Sequence, residues 1–183
     1  MTTIVAVQSS TGVVFGADSQ VTAPNGRKYS SDRMVKISER NKYIIAGSGE
    51  VAPCDIAQHI WNPPTPTATD KRDLYHFMVS KVVPSLKQCF KDNDYKPASD
   101  DDETAFLFLI AVCGEVFEVA DDFSVIINDE GFYGVGSGSS YALGSLWSGK
   151  EIEYALTVAA RLDAYTSAPF IYKQQNKPKK RNA

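Results

Sequence analysis

Five features of this chain are of residue types that could do chemistry. Thr2 follows Met1 directly, Asp18 closes an apolar run, and Lys36 lies between Val35 and Ile37. Gly47 and Gly49 frame a glycine turn, and Ser137 sits between Gly136 and Gly138. A threonine hydroxyl is a weak nucleophile and needs an adjacent base. If Met1 is removed, the freed α-amino group of Thr2 lies beside its own Oγ1. An α-amine, with a pKa of about 7.7–8.0, suits a general base near neutral pH. A nearby Lys36 ammonium would favour the neutral amine and an alkoxide-like oxygen. Asp18 would keep that lysine charged and oriented, as the third member of a triad does. Backbone N–H groups at the glycine turn could hold an oxyanion.

Each feature also has an ordinary reading. An early threonine is a β-former, an aspartate after a strand closes a turn, and a lysine in a short apolar strand can point outward on an edge. Glycine turns supply backbone geometry, and a serine before a helix is an N-cap. GVGSGS (Gly134 to Ser139) has neither the GxGxxG spacing nor the Gly-Lys-[Ser/Thr] ending of a phosphate loop.

The elements that must position these residues can be read from the hydrophobic pattern. TTIVAV (Thr2 to Val7) and VVFGA (Val13 to Ala17) are apolar enough for strands buried on both faces, paired as a hairpin. Met34 to Ser38 and Lys42 to Gly47 form a second pair. A helix follows GSGE, with Val51, Cys54, Ile56, Ala57 and Ile60 on its apolar face, and Trp61-Asn62-Pro63-Pro64 stops it. Thr69 or Asp70 is expected to cap a long helix through Leu74, Phe77, Met78 and Val82, kinked at Pro84. AFLFLIAV (Ala105 to Val112) is a core strand, with Val116 to Val119, Ser124 to Ile127 and Gly131 to Val135 as further strands. A helix opens at Gly136–Ser140, and Ile152, Ala155, Leu156, Ala159, Leu162 and Tyr165 mark one more, broken by Pro169. Phe170 to Tyr172 is the last strand. Strands and helices come in segregated runs, which argues for an α+β layered sandwich rather than an alternating parallel sheet.

With 183 residues, 43% of them hydrophobic and 22% charged, the chain suits a single soluble domain. No apolar run reaches the ~18 residues of a membrane span, and no secretory leader opens it. Nineteen basic residues face 22 acidic ones, for a net charge of −3. Residues 173–183 hold Lys173, Lys177, Lys179, Lys180 and Arg181 and no acid, so the body is more acidic than the net charge says. Such a body is a poor nucleic-acid partner, and the basic end reads as a disordered tail after a domain spanning 2–172. Cys54, Cys89 and Cys113 are widely spaced, and His59 and His76 fit no metal-ligand spacing, so no disulfide framework or zinc site is indicated.

Taken in register, TTIVAV, GADSQVT (Gly16 to Thr22), VKI (Val35 to Ile37), AGSGE, VGSGSSYA (Val135 to Ala142) and LDAYTS (Leu162 to Ser167) resemble the proteasome β-subunit family of N-terminal nucleophile (Ntn) hydrolases, closest to its bacterial, ATP-dependent HslV branch. The resemblance runs from Thr2 to about Tyr172. It implies a four-layer αββα sandwich and a threonine endopeptidase with Thr2 as nucleophile, Asp18 and Lys36 as its partners, and Ser137 and Asp163 bonded around the amine. It places the oxyanion donor at Gly49, with Gly47 as runner-up. It also implies an extended substrate bonded at Thr22, a specificity pocket near Met34 and the glycine turn, and a monovalent cation such as sodium on the carbonyls of Leu162, Tyr165 and Ala168. The chemistry itself needs no cofactor. Stacked hexameric or heptameric rings, polypeptide substrates, a cytoplasmic location and an AAA+ unfoldase of the HslU type, through which alone ATP would act, are implied likewise. Gln20 follows the HslV pattern. The PPTPTATD loop, the acidic loop near Asp100 and the basic tail match nothing in it.

Three readings are therefore carried forward. The first is a threonine peptidase. The second is a catalytically silent subunit of the same fold, in which Met1 is retained and ties up the amine. The third is a small ligand- or nucleotide-binding protein that shares only the glycine turns.

Overall fold

The computed structural model describes residues 2–23, 25–30, 35–96 and 105–178. Two sheets lie face to face. One has the order β10-β1-β2-β11, built from Phe132–Val135, Ile4–Gln8, Gly12–Asp18 and Phe170–Asn176. The other has the order β5-β6-β7-β8-β9, built from Ile37–Arg40, Tyr43–Gly49, Phe106–Val112, Glu115–Ala120 and Val125–Ile126. A small β3–β4 ribbon, Gln20–Thr22 with Lys28–Ser30, stands beside them.

Strand alternation explains the layering. Along β1, Ile4 and Ala6 enter the core between the sheets, while Val5 enters the core beneath helices α4 (Ser139–Trp147) and α5 (Ile152–Leu162). Along β7, Leu109 and Ala111 face the other sheet, and Phe106, Phe108, Ile110 and Val112 face the opposite helical layer. That layer comprises α1 (Val51–Asp55), continued by a π turn over Ile56–Ile60, and a long segment of α2 (Leu74–Phe77), a π turn over Met78–Val82 and α3 (Val83–Asp92). The result is an α+β, four-layer αββα sandwich. No helix among the described residues is long and apolar enough to cross a membrane.

Four local expectations need correction. Lys36 precedes β5 rather than lying within it, because pairing starts at Ile37 opposite Ala46. The long helix is capped by Asp73, which accepts from the His76 N–H, and its departure from α geometry is the π turn ahead of Pro84. Ser139, not Gly136, begins α4, because Gly136 sits at φ +93. The last strand runs to Asn176, since Lys173 to Asn176 pair with Phe15 to Gly12 of β2; the tail expected from 173 is thus a strand for its first four residues.

Candidate active site

The register brings separated residues to one end of the sandwich. Ile4 pairs with Ala17 and with Val135, so Thr3 lies beside Asp18 on one flank and the Gly136 turn on the other. Phe170 pairs with Asp18, which adds the turn after α5. Lys36 stands just before β5, and Gly47 and Gly49 end β6, so the second sheet contributes at the same end.

Asp18 is fully buried and is the hub. Its Oδ1 accepts from Lys36 Nζ at 2.6 Å, from the Thr3 N–H at 2.8 Å and from Thr2 Oγ1 at 3.0 Å. Its Oδ2 accepts from the Gln20 N–H at 3.0 Å and the Ser167 N–H at 3.5 Å. A buried carboxylate is tolerable only with such compensation. Burial pulls the Lys36 pKa below the usual lysine value, and this outweighs the opposing attraction of Asp18.

A second arm meets Thr2 from the other side. Ser137 Oγ donates to Asp163 Oδ2 at 2.8 Å and lies 3.4 Å from the Thr2 carbonyl oxygen. Thr166 Oγ1 donates to the same Oδ2 at 2.5 Å. Burial pushes the Asp163 pKa up, but the bonds from Thr166, Ser137 and the Tyr165 N–H outweigh it and hold the carboxyl below its ordinary value. The glycines between these groups are steric necessities. A Cβ at Gly136 would lie 2.1 Å from the Thr2 carbonyl oxygen, and one at Gly138 would lie 2.1 Å from Thr3 Oγ1.

A pocket of about 320 Å³ opens beside Thr2 and Lys36. Thr22, Gly47, Ser48, Gly49 and Cys54 also line it. The Glu50 N–H donates to the Ala105 carbonyl across β7 at 2.8 Å, so strand alternation turns the Gly47 N–H away from β7, beyond the start of β5. Gly49, at φ +113, is exposed at the rim, and Gly47 is buried. The Cys54 thiol, pushed up to about 12 by burial and then by Asp55, stays neutral. Met34 and Met1 lie outside the described residues.

The α5–β11 turn carries the carbonyls of Leu162, Tyr165 and Ala168. Those of Asp163, Ala164 and Ser167 accept from the Thr166 N–H, Gln20 Nε2 and the Ser19 N–H. Among the described residues, no hydrogen bond occupies the other three.

Sequence reasoning missed Thr3, Thr166, Ser167 and the Gln20 N–H. Only the Asp163-x-x-Thr166 spacing, suited to a side chain bonding back along a turn, hinted at one of them.

No protein-family description and no curated protein sequence matches the chain. Solved structures do. BPH from Thiobacillus denitrificans in complex with epoxomicin superposes at a TM-score of 0.73 and 20% identity, over 97% of this chain and 100% of that one. HslV from Trypanosoma brucei gives 0.65 and 16%, over 94% and 98%. Anbu, the ancestral β-subunit from Yersinia bercovieri, gives 0.64 and 12%, over 94% and 80%. The chain has the proteasome-like Ntn-hydrolase fold. The end of the sandwich that gathers Thr2, Asp18 and Lys36 beside the pocket is the candidate active site.

Proposed function

We propose that the chain is an N-terminal threonine peptidase subunit of a proteasome-like, self-compartmentalising protease that degrades unfolded polypeptides. The observation that carries this is the convergence of Thr2 Oγ1 and Lys36 Nζ on one oxygen of buried Asp18, at the mouth of a pocket.

The chemistry follows from these groups. With Met1 removed, the Thr2 α-amine takes the Oγ1 proton as Oγ1 attacks the peptide carbonyl carbon. N–H groups of the Gly47–Gly49 turn hold the resulting oxyanion. The amine returns the proton to the leaving nitrogen, the C–N bond breaks, and water hydrolyses the ester on Thr2. Lys36, held by Asp18, stabilises negative charge on Oγ1. Ser137 and Asp163 orient the amine. Thr22, on β3, bonds the substrate backbone as an added strand. A monovalent cation on Leu162, Tyr165 and Ala168 would stiffen the turn that carries Asp163.

Ring assembly, a cytoplasmic location and an AAA+ unfoldase partner belong to the same reading. Tyr141, Trp147 and Tyr154 are exposed on α4 and α5, and such large apolar side chains suit burial against another copy. Thr2→Ala should abolish peptide hydrolysis while assembly persists; retained hydrolysis would sink the proposal. Intact mass separates the silent-subunit reading, which requires Met1 to be kept.

A further inference from the structure

We infer that Thr3, the residue after the nucleophile, is a positioning residue that couples the Asp18 and Asp163 arms of the site through its N–H and its hydroxyl. The inference rests on the peptidase reading above.

Thr3 is fully buried. Its N–H donates to Asp18 Oδ1 at 2.8 Å, and its carbonyl accepts the Asp18 N–H at 3.1 Å. Its Oγ1 lies 2.6 Å from Thr166 Oγ1, which lies 2.5 Å from Asp163 Oδ2. The proton positions follow from the acceptor. An ionised Asp163 can only accept, so the single Thr166 proton points at it, and the proton between the two hydroxyls must be that of Thr3. The chain therefore runs one way, Thr3 to Thr166 to Asp163, and each bond polarises the next.

Thr3 is covalently joined to Thr2, so a shift of either carboxylate reaches the nucleophile through one residue. β-branching holds its Oγ1 in few rotamers. A valine would fill the same buried space without the cost of a buried hydroxyl, so the hydroxyl marks a role beyond packing. Gly138 keeps the space open: a Cβ there would lie 2.1 Å from Thr3 Oγ1, 2.8 Å from Thr166 Oγ1 and 3.0 Å from Asp163 Oδ2.

The test compares wild type, Thr3→Val, Thr3→Ser, Thr166→Val and the Thr3→Val/Thr166→Val double variant in the assembled protein. Hydrolysis of a fluorogenic peptide and denaturant unfolding midpoints are both measured. Thr3→Val should lower kcat about tenfold with KM little changed, and Thr3→Ser should restore it to within about threefold. The double variant should be no slower than Thr166→Val alone, and its midpoint shift should be smaller than the sum of the single shifts. Wild-type kcat in Thr3→Val, or losses that multiply in the double variant, would overturn the inference. If Thr3→Val does not fold, Thr3→Ala removes the same hydroxyl and carries the comparison. Thr2→Ala decides the peptidase reading separately. If that reading fails, additive midpoint shifts still refute the Thr3–Thr166 coupling.

Discussion

Lys36 Nζ lies 2.6 Å from Oδ1 of Asp18, whose side chain has no solvent exposure. Asp18 ends β2 of one sheet and Lys36 stands just before β5 of the other, so the ion pair joins the layers at the end where Thr2 sits. Removing one partner of a buried pair leaves an uncompensated charge. Asp18→Asn should therefore cost about 3 kcal/mol of stability and lower kcat/KM by about 10³-fold or more. Calorimetry and peptide hydrolysis check both, and an active, equally stable variant would contradict the assignment.

Burial lowers the Lys36 pKa from the ordinary lysine value. In the proposed mechanism the ammonium is the working form, so kcat/KM should fall on the alkaline side at a pH below the usual lysine range of about 10.4. A pH–rate profile reads this directly. An alkaline limb at or above that range would argue against a role for Lys36 in the rate.

Asp163 behaves in the opposite sense for stability. Its folded pKa is depressed, so its contribution is present above the unfolded value of about 3.9 and is lost as pH falls through the folded value. Asp163→Asn should lower Tm at pH 7, and the gap from wild type should close on acidification below about pH 4. A gap constant with pH would mean that the hydrogen-bonded carboxylate is not its source.

Gly136 combines a φ of +93 with a Cβ position 2.1 Å from the Thr2 carbonyl oxygen. Gly136→Ala should destabilise by about 1–3 kcal/mol and displace Thr2, the proposed nucleophile, with more than tenfold loss of kcat. Gly26→Ala is the control: it also has positive φ, at +78, but nothing among the described residues lies within 4 Å of its Cβ position. It should cost stability and leave kcat unchanged.

Cys54 lines the pocket, yet its thiol pKa is pushed up to about 12. The thiolate is the reactive form. Iodoacetamide at pH 8 should therefore label Cys54 far more slowly than a free thiol and leave hydrolysis intact. Rapid labelling with loss of activity would shift attention from Thr2 to the cysteine.

How much was legible beforehand depended on range. The layers were readable because each central strand is apolar at successive positions: TTIVAV and AFLFLIAV can be buried only by something on both faces. Thr2 and Asp18 were visible as chemical types at the ends of such strands, and Lys36 as a lysine expected within one. The placement of Lys36 just outside β5 was not, because Val35, Lys36 and Ile37 have no local signal for where pairing begins. The extension of β11 to Asn176 was hidden for a similar reason. Lys-Gln-Gln-Asn has the composition of a tail, and only the free edge of β2 makes it a strand.

The amino-acid order therefore determined an α+β layered sandwich and the list of reactive groups, since hydrophobic period and residue type are local properties, while the four-layer αββα order was implied only by the family resemblance. Tertiary structure decided which groups share an oxygen and which hydroxyl points at which carboxylate. It also decided why Gly136 and Gly138 carry no side chain. Those are contacts between residues up to 163 positions apart, as for Thr3 and Thr166, and strand register, not local sequence, brings them within hydrogen-bond reach.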